Sequence, residues 1–176
     1  MKAIKKIGCF FDRFEHDIRL FNPKPSLIIG AITLSLGILG WIIGGSSDRA
    51  LLLYMFPRSA ISVGFMYFLW GIAFAFVGII IGGILFGCEK YKRRESTKSA
   101  VFVIISLIFA ICVQPMFFRC LAPFITFIFL LVSIFFCFLA IMSVVRIYSL
   151  WSICLMIHML WLAYNGYLAF AIALIN

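Results

Sequence analysis

The sequence predicts an all-α membrane protein, a five-transmembrane-helix bundle with an N-terminal amphipathic interfacial helix. Three observations predict it. The chain of 176 residues is 65% hydrophobic with a mean hydropathy of +1.19, against roughly 45–50% apolar in a soluble domain. Five apolar runs each approach the ~20 residues that a helix needs to cross the hydrocarbon core. All six acidic residues, Asp12, Glu15, Asp17, Asp48, Glu89 and Glu95, fall outside those runs.

The first 26 residues form a separate tail ahead of the membrane domain at 27–176. In the tail, Ile4, Ile7, Phe11, Phe14, Ile18 and Phe21 repeat at intervals of three and four. Lys5, Lys6, Asp12, Arg13, Glu15 and Arg19 occupy the other face. Such a helix lies along a membrane surface as an anchor, or else docks a partner protein. Asn22-Pro23-Lys24-Pro25 ends it and turns the chain into the bilayer. The tail does not read as a signal peptide, because its first long apolar run begins only after a charged stretch.

The spans are expected at 27–45, 61–87, 99–118, 121–145 and 151–175. Gly40 with Gly44, Gly78 with Gly82, and Gly71 with Ala75 recur at four-residue spacing in the first two. Small residues at that interval let helix backbones approach closely, either between these two spans or across a homodimer face. The connection 46–60 carries an apolar hexad, Leu51 to Phe56, suited to fold back over the bundle mouth as a lid. Pro115 interrupts the third span by leaving the Ile111 carbonyl without its donor. Pro123 sits in the first turn of the fourth, where proline costs little.

Charge gives the orientation. Twelve of the 15 basic residues lie in the tail, the 88–98 loop and at Arg146, leaving only Arg49, Arg58 and Arg119 on the other side. The positive-inside rule then puts the N-terminus on the cytoplasmic side of a bacterial cytoplasmic or organellar membrane. The net charge of +9 therefore marks topology and contact with anionic lipid, not nucleic acid.

No hydrolase triad, P-loop, paired carboxylate or metal-ligand spacing is present, so no catalytic residue and no metal site is assigned. The six cysteines show no C-x-x-C spacing and read as small apolar side chains. An ion-pumping role is disfavoured by the lack of charged residues inside the spans. The deep polar residues are Thr33, Gln114, Thr126, His158 and Asn165. His158, Trp161 and Asn165 share a face of the last span. They are either polar contacts in a ligand pocket, with His158 a candidate axial ligand for a haem-like metal, or hydrogen-bonding glue between helices. Trp161, Tyr164, Leu168, Ile172 and Asn176, spaced by three and then by fours, form a stripe on that span, and the amphipathic aromatics Trp161 and Tyr164 near its middle make both candidate ligand contacts in a protein-lined cavity. Trp41 and Trp151 fit an interfacial aromatic belt. Trp70 and Trp161 lie deeper and need partners for their N–H groups, so they face protein or a cavity. The phenylalanines of the fourth span, such as Phe124, Phe127, Phe135 and Phe138, fit lipid contact.

Three stretches resemble the TspO/MBR family, the tryptophan-rich sensory or translocator proteins. The first is Leu160-Trp161-x-x-Tyr164-x-x-x-Leu168-x-x-x-Ile172-x-x-x-Asn176. The second is Tyr67-Phe68-Leu69-Trp70-Gly71-Ile72-Ala73, and the third is Phe117-Phe118. There are departures. The family's proline-rich stretch before helix 2 is reduced to Pro57, and its helix-2 tryptophan falls on Val63. The asparagine and tryptophan of its third helix fall on Ala110 and Val113, and its Pro-Tyr on Ile157-His158. The pocket alanine is Asn165 and the inner asparagine Ala169. No Lys or Arg follows Tyr167, so the cholesterol-contact pattern of some members is absent.

The resemblance implies a five-helix bundle, often dimeric, with an apolar pocket under the first loop that takes porphyrin, haem or sterol. No cofactor is required; porphyrin or haem would be a ligand. By position it implies that Tyr67, Phe117, Trp161, Asn165 and Leu168 line the pocket. The sequence thus supports a binding protein for a hydrophobic small molecule in sensing, transport or turnover. The alternative is a small polytopic accessory subunit of a larger membrane complex. An enzyme acting on lipid has least support.

Overall fold

The structure, a computed structural model, describes residues 14–45, 53–58, 60–87 and 93–176. Ile4, Ile7 and Phe11 of the tail stripe, Leu51 and Leu52 of the hexad, and Lys90 and Lys92 lie outside the described residues. Five helices are long and apolar enough to cross a membrane. They are α1 Pro23–Gly44, α2 Val63–Phe86, α3 Arg93–Gln114, α4 Pro123–Val144 and α5 Ser149–Ile175. The protein is an all-α membrane bundle.

Most boundaries fall where the apolar runs end. Two do not. Helix α1 begins at Pro23, with Asn22 as its N-cap, so both prolines sit in the first turn instead of in a separate bend. That turn has no intrahelical use for their missing N–H groups. Helix α3 begins six residues earlier than expected, at Arg93, and has Glu95 in its first turn. Hydropathy marks where the hydrocarbon core starts; it does not stop a helix from running on into the polar region, where an acidic residue suits the N-terminal dipole.

Helix α3 does not simply kink at Pro115. Beyond Gln114 the chain continues as a π-helical segment, Pro115–Arg119, in which the Cys120 N–H donates to the Pro115 carbonyl over 3.1 Å. The wider turn follows from the donor that Pro115 lacks. It is followed by Leu121 at φ 51°, a left-handed conformation that costs a non-glycine residue about 1–2 kcal/mol. The Tyr54 hydroxyl donates to the Leu121 carbonyl at 2.6 Å and holds that corner.

Helices α2, α3, α4 and α5 close a ring in which each packs on the next, and α1 lies outside against α2 and α3. The glycines belong to these contacts within the chain. A Cβ on Gly78 would meet Thr33 Oγ1 and come within 2.7 Å of the Gly30 Cα. One on Gly82 would meet the Ser26 backbone, and one on Gly44 would come within 3.3 Å of the Gln114 carbonyl. Thr33 adds a bond across the α1–α2 contact, its hydroxyl donating to the Phe74 carbonyl at 2.8 Å. Between α3 and α4, Ser106 and Ser133 donate to each other's carbonyls at 2.8 and 2.9 Å, and Ser99 donates to Ser143 at 2.7 Å. In a bilayer, where apolar burial gives little drive, close packing and such bonds hold helices together.

The ring is solid at the end nearer the tail. Ile80, Ile84, Val144 and Leu155 are fully buried there. Trp151, expected in a lipid-facing belt, is buried instead at 6% exposure. Its indole lies where a Gly83 side chain would be, and Phe21 packs on it at 5.5 Å. The expected outward view of the fourth span holds for Phe124, Phe135 and Phe138, which are exposed; Phe127 instead packs on Phe170 at 4.9 Å.

The described part of the tail, helical over 14–20, is attached to the bundle by an acid. Asp17 is buried, and its carboxylate accepts from the Leu150 N–H at 3.0 Å. Leu150 is in the first turn of α5, whose own N-cap Tyr148 offers no side-chain cap. Asp17→Ala is expected to cost about 1 kcal/mol, typical of a lost helix cap. Thermal unfolding in detergent measures this, and trypsin should cut at Arg19 faster than in the parent.

Candidate functional site

At the opposite end the ring is hollow. The chain from Tyr54 to Pro57, without regular secondary structure, forms a strap, with Tyr54 and Phe56 turned inward and Met55 exposed at 73%. The inward pair packs on Phe117, with ring centroids 6.1 Å from Tyr54 and 6.4 Å from Phe56. The π-helical segment presents Phe117 to this cluster, together with Ile172 of α5. Asn176 clasps the strap from below. Its carboxamide oxygen accepts from the Met55 N–H at 2.9 Å, and its nitrogen donates to the Met55 carbonyl at 3.2 Å.

Removing these ties should loosen the strap without altering the helices. Tyr54→Phe is expected to cost about 1 kcal/mol, the net worth of an ordinary hydrogen bond, and Asn176→Ala, which removes two, about 2 kcal/mol. Limited chymotrypsin digestion should then cut at residues 54–56 several-fold faster, with unchanged helical circular dichroism.

Beneath the strap lies an apolar cavity of about 60 Å³. Tyr67 and Trp70 wall it from α2, and Gln114, Phe117 and Phe118 from α3 and its π-helical extension. Thr126 and Leu130 of α4 and Asn165, Leu168 and Ala169 of α5 complete it, with Phe56 as part of the roof. Of the expected site residues, Tyr67, Phe117, Asn165 and Leu168 therefore meet around one space. His158, Trp161 and Tyr164 do not line it.

Trp161 stands behind Trp70, half-buried, with ring centroids 5.9 Å apart at 71°, and its other ring neighbour is Tyr164 at 5.9 Å. The residue fully buried on that turn is Leu162. His158 is 3% exposed, and neither ring nitrogen has a hydrogen-bond partner among the described residues. His158 is not among the residues that line the cavity.

Asn165 is used internally. Its oxygen accepts from the Trp70 indole at 3.2 Å, and its nitrogen donates to the Trp161 carbonyl at 2.7 Å. That fixes the Trp70 ring as a flat wall of the cavity, which Phe74 backs at 5.3 Å. Gln114 differs: it is 3% exposed and its Oε1 has no partner among the described residues. A buried unpartnered acceptor costs about 1–3 kcal/mol, so it favours any ligand group able to donate to it. Sequence reasoning had both Trp70 and Gln114 at depth but put neither in the site. The signal for Gln114 was its place immediately before Pro115, where the helix changes pitch.

No protein-family model matches the chain, and no curated protein matches it.

Proposed function

We propose that this integral membrane protein is a binding protein of the TspO type, which takes a flat hydrophobic ligand, porphyrin- or sterol-like, into the hollow beneath the strap. The observation that carries the reading is the pairing of that apolar, aromatic-walled hollow with a roof held by a few hydrogen bonds. Trp70 and Phe117 offer ring faces for dispersion and stacking. Gln114 offers an acceptor with no partner among the described residues, which orients a ligand hydroxyl or pyrrole N–H.

Size dictates the mechanism. Sites for small molecules usually span about 300–1,000 Å³, several times the 60 Å³ present. The ligand has to lift the strap and withdraw Phe56 from Phe117. Three side-chain hydrogen bonds restrain the strap, two from Asn176 and one from Tyr54. At about 1 kcal/mol each, breaking them costs on the order of 3 kcal/mol, a cost that stacking of a large ring system offsets. With the N-terminus on the cytoplasmic side, as the distribution of basic residues favours, the strap faces the other compartment.

The accessory-subunit alternative drew on the glycine faces and the tail. The glycines pack α1 onto α2 and α3 of the same chain, and Asp17 ties the tail to α5, so those features give it less support.

Protoporphyrin IX titrated into purified protein should quench tryptophan fluorescence saturably at one ligand per chain. Ala169→Leu, which fills the hollow, should abolish that quenching while raising thermal stability by about 0.5–2 kcal/mol, as cavity-filling changes do. Non-saturating quenching, or equal quenching in Ala169→Leu, would remove the proposal.

A further inference from the structure

A second space lies on the outer side of the bundle. Between α1 and α2 runs an open groove of about 480 Å³, within the range of about 300–1,000 Å³ usual for small-molecule sites. Its floor is made by Gly37, Gly71, Phe74 and Ala75, and its exposed rims include Ile38, Phe68 and Ile72. It is elongated along the helices: Leu34 to Trp41 on α1 covers about 10 Å at 1.5 Å per residue, and Tyr67 to Ala75 on α2 about 12 Å.

The two ends of the groove differ. The end formed by Leu34 and Ala75 lies near the middle of α1 and α2 and is purely apolar. The end formed by Trp41, Tyr67 and Gln114 lies near the strap side, where α1 and α3 finish and the membrane gives way to headgroups. The buried Gln114 carboxamide, whose Oε1 has no partner among the described residues, is at this end. It forms part of the wall between the groove and the hollow.

We infer that this groove is a second binding site, sharing the Gln114 wall with the hollow, for an aliphatic lipid carrying a hydroxyl group, with the hydroxyl at Gln114 and the chain lying along Gly71 and Gly37 toward the membrane centre. The apolar-to-polar gradient runs in the direction an amphiphile adopts in a leaflet. The head chemistry follows from the carboxamide. A phospholipid ester presents acceptors only and cannot answer Oε1, whereas a hydroxyl both donates and accepts and so answers either end of the amide. The small-residue floor lets a chain lie close, and dispersion against the rims supplies contact in place of looser bilayer lipid.

The test uses the full chain in phosphatidylcholine nanodiscs and a sixteen-carbon alcohol bearing a diazirine about six carbons from the hydroxyl, within the length of the groove. Photolabelling should saturate, and mass spectrometry should map the adducts to residues 34–41 of α1 and 67–75 of α2. Unlabelled hexadecanol should compete at least tenfold better than hexadecane; this comparison needs no substitution. Gly71→Leu should cut labelling about tenfold, because a Cβ there meets only Leu34 at 3.6 Å and the longer chain fills the groove without disturbing the bundle. Gln114→Leu should erase the advantage of hexadecanol over hexadecane. Labelling that does not saturate, or hexadecane competing as well as hexadecanol in the parent protein, would reduce the groove to ordinary lipid contact and overturn the inference. Gly71→Leu is expected to leave protoporphyrin quenching unchanged, so failure here and failure of the proposed function are read separately.

Discussion

Replacement of Gly78 by leucine is expected to abolish recovery of folded, monodisperse protein from detergent. Helix α1 crosses α2 at Gly78 with backbone against backbone, since a Cβ there would lie within 2.7 Å of both the Gly30 Cα and the Ile29 carbonyl oxygen. Neither atom can swing aside as a side chain can. Overpacking a well-formed core costs about 1–3 kcal/mol where neighbours can adjust, and here α1 as a whole would have to move. That movement would also break the Thr33 bond to the Phe74 carbonyl. Size-exclusion chromatography and helical circular dichroism report the outcome. Gly71→Leu on the same helix is the control and is expected to behave as the parent. A well-folded Gly78→Leu protein would contradict the α1–α2 packing described here.

Trp70→Ala should be the most destabilising change in the wall of the hollow. The indole is 5% exposed, packs on Phe74 and Trp161, and donates to Asn165. Truncating a buried aromatic to alanine costs about 3–5 kcal/mol, and the Asn165 oxygen would lose its donor. Trp70→Phe keeps most of the ring and loses chiefly the hydrogen bond, at about 1–2 kcal/mol. Unfolding in mixed detergent micelles with increasing dodecyl sulfate should therefore rank parent above Trp70→Phe above Trp70→Ala. Equal stability of the two variants would mean that the ring contributes little beyond its N–H. Asn165→Ala combined with Trp70→Phe should cost less than the two changes summed, because both remove the same bond.

The five spans were legible in the sequence because each is a long apolar run free of Asp, Glu, Lys and Arg and bounded by charge or proline. What was not legible depends on pairing between distant residues. Trp151 has the composition and position of a belt residue, and only the Gly83 notch on another helix turns it inward. Ser99, Ser106, Ser133 and Ser143 look like unremarkable small residues until the register of α3 against α4 sets them face to face. The tail stripe suggested an interfacial helix, but its attachment comes from Asp17, a residue off the stripe, meeting the start of α5 more than 130 positions later in the chain.

The candidate site shows the same division. Tyr67, Phe117, Asn165 and Leu168 converge on the hollow, and the lid expected from the apolar hexad is seen at Tyr54 and Phe56. On α5 the stripe that reaches the interior runs through Leu162, Asn165, Ala169 and Ile172. Of the stripe Trp161, Tyr164, Leu168, Ile172 and Asn176, Leu168 and Ile172 line the hollow and Asn176 holds the strap, whereas Trp161 and Tyr164 stand beside it, one residue's offset turning a helix by about 100°. Spacing alone leaves that rotation open; contact with α2 and α4 fixes it.

Ligand entry as proposed requires the strap to rise from the hollow. Spin labels at Met55 and Leu174, both exposed and on either side of the Asn176 clasp, measure that movement by pulsed dipolar spectroscopy. The distance is expected to lengthen by several ångströms when protoporphyrin IX is added at saturation, and Ala169→Leu should suppress the change. An unaltered distance at a concentration that saturates tryptophan quenching would place the ligand elsewhere and contradict the account.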